Sequence, residues 1–462
     1  MRVRIRPGGT LAPIPVRVPG DKSIAHRWLI LAATARGASR LVEVPGSLDV
    51  RSTASCLAVL SPRARPGLDL WSRNVAASVE GSGSTWNVGS SPGVDASGPP
   101  VLEVEGDGRG GLADPAAPLD CGNSGTSMRL LAGVAAPAPF RTVLTGDASL
   151  SARPMERVAE PLRALGATVT TVGGHAPLTI DGGALRGVTY EVPVPSAQVK
   201  SAILFAGLVA DGETTVIERA STRDHTERAL EALGCDVTVH GRAVSVRPSG
   251  HRGFEARVPG DPSSAAFLVG AAALTGSPLT IVEVGLNPTR TRYLDVMRRM
   301  GVPVDTEIVR DEVGEPVGRI VVGEATGLTA VRVEADELPE VIDEVPVLAA
   351  LAAHAHGPSW FAGAGELRVK ETDRLDGLAE GFRRLGHHAA VEGDDLVLGG
   401  GGLDGGDVSS SGDHRIAMAF AVAALAASGP VEVDGMEVEA VSFPGFSDLL
   451  RGLGAEVEEV RP

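Results

Sequence analysis

The sequence predicts an α/β (α+β) protein of two similar globular domains, built from six copies of one βαβ-type unit, three to a domain. Three observations carry this. First, VPGDKSIAH (18–26) recurs as VPGDPSSAA (258–266), and both run on into small apolar residues. Second, four other segments share the outline of short strand, polar turn and Ala/Leu-rich helix: 119–136, 190–212, 335–353 and 409–429. Third, an amphipathic helix trails each copy and usually ends in Leu-Gly or Met-Gly before a strand. A single short repeat cannot bury its apolar face alone, so the copies should pack together.

Taken in order, the copies register at Ser23, Ser124, Ala197, Ser263, Asp343 and Asp413. The first spacing is 101 residues against 66–80 for the others. The excess falls in a Gly/Ser/Pro-rich stretch at about 61–100, which reads as an inserted surface loop. The trailing helices end at Leu165-Gly166, Leu233-Gly234, Met300-Gly301, Leu385-Gly386 and Leu453-Gly454. Glycine there is the stop that adopts positive φ without a Cβ clash. The first copy lacks this ending. Asp261-Pro262 reads as an N-cap followed by Pro at the first helical position, and Asp224-His-Thr-Glu227 reads as a capping box. The best domain boundary lies near 250–257, before the second VPGD.

Composition narrows the function. The formal charge is −16, aromatics are few and no basic run occurs, which argues against a nucleic-acid binder. Cys56, Cys121 and Cys235 are far apart with no metal spacing or disulfide framework, as suits a reducing cytoplasm. The N-terminal stretch has no apolar run of signal-peptide length. The longest apolar run, 416–427, is too short to span a bilayer, so no membrane role is expected. Only three of the 42 basic residues are lysine: Lys22, Lys200 and Lys370. Codon bias toward Arg accounts for the rest, and the three survivors mark positions where Arg does not serve.

Each polar turn sits where a helix begins, so it presents free N–H groups and the positive end of a helix dipole. Any one turn, taken alone, reads first as a helix cap. The set differs in charge, however. The first turn carries Lys22, Ser23 and Arg27, and the second Asn123 to Thr126 with Arg129. The third carries Ser196, Gln198 and Lys200, and the sixth Asp413, His414 and Arg415. SLSARP adds Arg153, and RVKETDR adds Arg368, Lys370, Glu371, Asp373 and Arg374. The dipole opposes cations at helix N-termini, so Lys22 and Arg415 call for an anion nearby. Many cations with one or two carboxylates, Asp343 and Glu371, suit proton transfer on polyanionic substrates. Glu371 reads equally as a solvated, charge-mixed helix end.

PGDKSIAHR, GNSGTSMR, SLSARPM, PSAQVKSA, RVKETDRL, GDHRIAMA and SFPGF, in this order, resemble the EPSP synthase family (3-phosphoshikimate 1-carboxyvinyltransferases) from about residue 18 to 450. The resemblance implies two domains of three βαβαββ units, an inverse α/β barrel-like arrangement, with residues 1–20 plus 253–462 in one and 21–252 in the other. The N-terminal strand would join the C-terminal domain, and substrates would bind in a cleft that closes on them. It implies transfer of the enolpyruvyl group of phosphoenolpyruvate to shikimate-3-phosphate, with no metal or organic cofactor, by a cytoplasmic monomer. Lys22, Ser23 and Arg27 match the shikimate-phosphate motif, joined by Ser196, Ala197, Gln198, Ser221 and Arg223. Lys22, Gly125, Arg153, Gln198, Arg374 and Arg415 match the phosphoenolpyruvate ligands. Asp343 resembles the base toward the 5-hydroxyl, with Lys370 beside it, and Glu371 the group that moves the proton at the methylene carbon. Asp49 matches a family aspartate at the cleft.

Two positions depart from the pattern. Val441 stands where many members carry a Lys that contacts phosphoenolpyruvate, a lost charged hydrogen bond of about 1.5–3 kcal/mol. Glu366 stands where many have Asn beside the shikimate phosphate, and its side chain is expected to point away. Gly125 is kept where glyphosate-insensitive members often carry Ala, so sensitivity is expected. A paralogue using another hydroxylated anionic acceptor, and a silent phosphate-binding homologue, are the competing readings.

Overall fold

The computed structural model describes residues 1–62 and 101–460. From residue 63 on, the inserted stretch lies outside the described residues. Each copy contributes two helices of seven residues or more. These are α1 (Lys22–Thr34) and α2 (Leu48–Leu60), α3 (Gly125–Ala135) and α4 (Glu156–Ala164), and α5 (Ala197–Gly207) and α6 (His225–Ala232). The later copies contribute α7 (Pro262–Thr275) and α8 (Arg292–Arg299), α9 (Val345–Ala353) and α10 (Arg374–Arg384), and α11 (His414–Ala424) and α12 (Phe446–Gly452). Odd-numbered helices follow the polar turns, and even-numbered ones are the trailing helices.

The chain divides into two compact units. Gly20–Pro259 with Asp311–Glu315 forms one, and Met1–Pro19, Gly260–Arg310 and Pro316–Pro462 form the other. They are called here the 20–259 unit and the 260–462 unit. The second copy shows the pattern in full. Leu119–Asp120 pairs in parallel with Arg141–Thr145, which pairs antiparallel with His175–Asp181, and Thr168–Val172 closes the edge. Helices α3 and α4 fill the two crossovers, giving βαβαββ. The third and fifth copies repeat this order.

The remaining copies borrow strands from far along the chain. Glu255–Arg257 supplies the parallel strand of the first sheet, beside Arg36–Val42. Pro15–Val16 does the same for the fourth, beside Leu279–Gly285. Arg2–Arg6 lies between Val431–Asp434 and Glu456–Val460, antiparallel to both, and completes the sixth. The two VPGD turns are the ends of these borrowed strands. In the 20–259 unit Asp21 N–H donates to Pro259 O at 2.7 Å. In the 260–462 unit Asp261 N–H donates to Pro19 O at 2.8 Å.

The odd-numbered helices are the cores. All of α9 and α11, and α7 from Pro262 to Ala273, are buried. That is why these stretches are apolar on every side rather than amphipathic. The even-numbered helices bury one face, and the glycines that end five of them have φ of +112°, +76°, +92°, +76° and +107° at Gly166, Gly234, Gly301, Gly386 and Gly454.

One local reading is corrected. Asp224 does cap α6 in position, but its side chain bonds no helix N–H. It accepts from Arg228 Nε at 2.8 Å instead. Glu227 is buried and held by Lys200 at 2.7 Å. A desolvated ammonium outcompetes a backbone amide for the carboxylate, so the capping box does not form.

Small residues let core helices meet. A Cβ on Gly133 of α3 would overlap the Ala202 carbonyl of α5. Gly133→Ala should therefore cost about 1–3 kcal/mol. Gly183→Ala, where a Cβ meets nothing within 4 Å, should stay within about 0.5 kcal/mol of wild type. Equal midpoints for the two variants in denaturant unfolding would contradict the packing argument.

Candidate active site

In the 20–259 unit the N-terminal turns of α1, α3 and α5 are tied together by side chains. Gln198, at the second position of α5, donates to Thr126 Oγ1 of α3 at 2.9 Å and accepts from Arg129 Nη1 at 2.6 Å. Arg27 of α1 donates from Nη2 to Ser201 Oγ of α5 at 2.9 Å and from Nε to Thr226 Oγ1 of α6 at 2.8 Å. His26 of α1 reaches α3 through Thr53 of α2, with His26 Nδ1–Thr53 at 2.7 Å and Thr53–Ser127 at 2.6 Å. Burial pushes the His26 imidazole down to about 3, so it is neutral at pH 7 and serves as a linker.

Three helix N-termini thus converge, and their caps are Asp21, Ser124 and Ser196. Two of the three are neutral hydroxyls, so two positive dipole ends have no carboxylate upon them. Cations gather at the same turns. Lys22 Nζ lies 2.9 Å from Asp49 Oδ2, so the anion that Lys22 calls for is partly internal. Arg223 Nη1 donates to Ser23 Oγ at 3.3 Å. Arg153 Nη2 donates to Asn123 Oδ1 at 2.5 Å. Gly125 opens α3 with the Arg129 and Arg153 guanidinium groups 3.1 and 3.4 Å from where a Cβ would stand. Ser221 is exposed, while Arg27 is 2% exposed with its guanidinium turned into the fold. Burial lowers Arg27 to about 10, so it stays charged at neutral pH.

The 260–462 unit uses different chemistry at the equivalent turns. The caps of α7, α9 and α11 are Asp261, Glu344 and Asp413, all carboxylates. Arg290 bridges Asp261 and Ser263 at 2.8 and 2.9 Å, and Ser263 donates to Glu344. Arg415 donates to the Asp343 carbonyl at 2.8 Å and lies 3.7 Å from Glu344. Arg374 collects three carboxylates: Asp413 at 2.7 Å, Glu371 in a short ion pair, and Asp343 at 3.6 Å. Lys370 Nζ is 3.1 Å from Asp343 Oδ1. Burial would lower Arg374, but Asp413, Glu371 and Asp343 outweigh it and hold the guanidinium above its usual range. Burial would raise Asp413, but Arg374 and then His414 outweigh that and lower it.

The structure therefore gathers Asp343, Lys370, Glu371, Arg374 and Arg415 in one cluster. It gathers Lys22, Ser23, Arg27, Gly125, Arg153, Gln198 and Arg223 at the turns of the other unit. Ser196 and Ala197 open α5. Val441 ends the short 3-10 helix Met436–Val441, and Glu366 is an exposed residue of Ala364–Val369. Lys200 is neither a surface residue nor a group at the turn: it is 1% exposed, between Glu218 and Glu227. Sequence reasoning passed over Arg290 and Glu344. The acidic pair Asp343-Glu344 was the available signal for the second, and Arg290 offered none.

Repeat-built α/β units whose helix N-termini carry clustered cations in one unit and clustered carboxylates in the other define an enzyme for anionic substrates. The solved structure of EPSP synthase from Acinetobacter baumannii matches this fold with a TM-score of 0.82 at 38% identity, over 99% of this chain and all of that one. The family model for EPSP synthase (3-phosphoshikimate 1-carboxyvinyltransferase) matches residues 10–71 and 96–450. Proteins named 3-phosphoshikimate 1-carboxyvinyltransferase from Acidithiobacillus ferrooxidans and Halorhodospira halophila are 45% and 46% identical, over 99% of each chain for the first, and 98% of this chain and 96% of the relative for the second. The chain belongs to the EPSP synthase family.

The Asp413–Arg374 pair generates a stability prediction. Asp413→Asn leaves Arg374 short of a buried partner and should cost about 3–5 kcal/mol at pH 7. Because the Asp413 carboxyl is lowered on folding, its contribution is complete above the ordinary carboxylate range. It is lost as pH falls through the lowered value. The gap between the unfolding midpoints of wild type and variant should therefore begin to close below about pH 4. A gap that stays constant from pH 7 to 3 would contradict the pairing.

Proposed function

We propose that this chain transfers the enolpyruvyl group of phosphoenolpyruvate to the 5-hydroxyl of shikimate-3-phosphate, releasing phosphate. The observation that carries this is Asp343 and Glu371 sharing the one buried guanidinium of Arg374, with Lys370 at Asp343. Addition followed by elimination needs two proton-handling groups held together. Asp343 takes the hydroxyl proton as the oxygen attacks the central carbon of phosphoenolpyruvate, and Glu371 delivers a proton to the methylene carbon. In the second step Glu371 takes a proton back from the methyl group, and phosphate leaves.

The 20–259 unit contributes Lys22, Ser23, Ser196, Ala197, Gln198, Ser221 and Arg223 to the shikimate phosphate, with Arg27 behind Ser23. It contributes Lys22, Gly125, Arg153 and Gln198 to phosphoenolpyruvate. The 260–462 unit contributes Asp343 and Lys370 to the acceptor, and Arg374 and Arg415 to phosphoenolpyruvate. An anionic oxygen that reaches Arg374 replaces Glu371 as its partner and frees Glu371 for proton transfer. The enzyme acts as a cytoplasmic monomer without metal or organic cofactor. Among the described residues no helix is long and apolar enough to cross a membrane.

Phosphate release from shikimate-3-phosphate plus phosphoenolpyruvate tests the reaction. Absence of release by folded protein, or release with another hydroxylated anion alone, would overturn the assignment. Glu371→Gln should keep substrate binding and lower kcat by about 10²–10⁴. A near-normal kcat removes Glu371 from proton transfer. Lys22→Arg keeps the charge but replaces a compact ammonium with a wide planar group, and kcat/KM should fall severely. Wild-type kcat/KM in that variant would mean that Lys22 holds no substrate. With Gly125 kept, turnover should be inhibited by glyphosate, and full activity at millimolar inhibitor would contradict this.

A further inference from the structure

Lys200 is the one lysine of the three that stands at no proposed substrate contact. It lies in α5 with its side chain 2% exposed. Its ammonium is 2.7 Å from Glu218 Oε2 and 2.7 Å from Glu227 Oε1, themselves nearly as buried. Burial would lower the Lys200 ammonium, but Glu227 and Glu218 outweigh it and hold it above its ordinary value. A buried charge of this kind is costly unless fully paired, so its placement calls for a reason.

The reason lies in where the two carboxylates stand along the chain. Glu218 ends the strand Thr214–Glu218, and Glu227 is in the first turn of α6. Between them runs the loop 219–224, which carries Ser221 and Arg223. Lys200 therefore grips both ends of that loop with one ammonium. Inside the loop, Thr222 Oγ1 donates to the other oxygen of Glu218. On the far side, Thr226 donates to Ser201 at 2.7 Å and accepts from Arg27, and His225 pairs with Glu315 at 2.7 Å. His225, Thr226 and Glu227 thus anchor the start of α6 to three different elements, while Arg223 projects to Ser23.

We propose that Lys200, with Glu218 and Glu227, is a positioning clamp that fixes the Ser221–Arg223 loop so that it can bind the phosphate of the acceptor substrate. This rests on the reading that Ser221 and Arg223 contact that phosphate. Misplacing a binding group by about 1 Å is enough to lose much of its effect. Glu218→Gln is the direct test, because it frees the start of the loop while the Lys200–Glu227 pair remains.

KM for shikimate-3-phosphate should rise about tenfold with KM for phosphoenolpyruvate within about twofold, since only the acceptor's binding term changes. A Lys200→Met/Glu218→Gln/Glu227→Gln variant, which leaves no buried charge unpaired, should show the same split. Thermal unfolding checks that both variants are folded. Arg223→Ala, measured beside them, separates the two layers of the argument. If Arg223→Ala raises the acceptor KM and folded Glu218→Gln does not, the clamp is overturned. If Arg223→Ala leaves the acceptor KM unchanged, the phosphate assignment itself fails. Equal rises in both KM values, or unchanged values in the folded triple variant, also overturn the clamp and leave Lys200 a stability element.

Discussion

Everything in each unit depends on three helix N-termini being drawn together. Their N–H groups lack intrahelical partners and their dipoles add, so each cluster needs compensating groups. The two units answer this need differently. In the 20–259 unit the caps are Asp21, Ser124 and Ser196, so part of the positive potential remains for a ligand. In the 260–462 unit Asp261 and Asp413 accept helix N–H groups with their carboxylates and Glu344 stands at the third helix start, so negative charge already occupies these turns, and Arg290, Arg374 and Arg415 balance the excess of carboxylate. One repeat, with a change of cap chemistry, yields one unit whose turns keep positive potential and one whose turns hold paired carboxylates and guanidinium groups.

The same constraint explains which side chains are buried. Arg27, Arg374 and Lys200 are each 1–2% exposed, and each joins helices rather than facing water. Arg374 joins the carboxylates of the 260–462 unit, while Arg27 and Lys200 join α1, α5 and α6. Losing either partner of such a pair costs more than the pair itself contributes, because the remaining charge stays desolvated. Arg27 and Lys200 hold the turns of the 20–259 unit in place, and Arg374 holds the carboxylates of the other unit together.

Much of this was legible in the sequence. The polar turns coincide with helix starts, and the five glycines after the trailing helices take positive φ, because both signals are local. Asp261-Pro262 caps α7 as its residue types dictate. The repeat pattern itself does not reveal the borrowed strands; only the family resemblance puts the N-terminal strand with the C-terminal domain. Two or three residues such as Pro15–Val16 carry no pairing information, and their partners lie hundreds of residues away. Glu227 misled for a related reason: the capping box is a local pattern, and Lys200, distant in sequence, takes the carboxylate. Buried charges in general read as surface, since composition does not reveal their partners.

The central claim is that the N-terminal turns of α1 and α5 in the 20–259 unit receive the acceptor's phosphate. A crystal structure with shikimate-3-phosphate bound tests it most directly. The account predicts the phosphate within hydrogen-bond distance of Ser23, Arg223 and the turn at Ser196. A phosphate seated on Arg374 and Arg415 instead would contradict it.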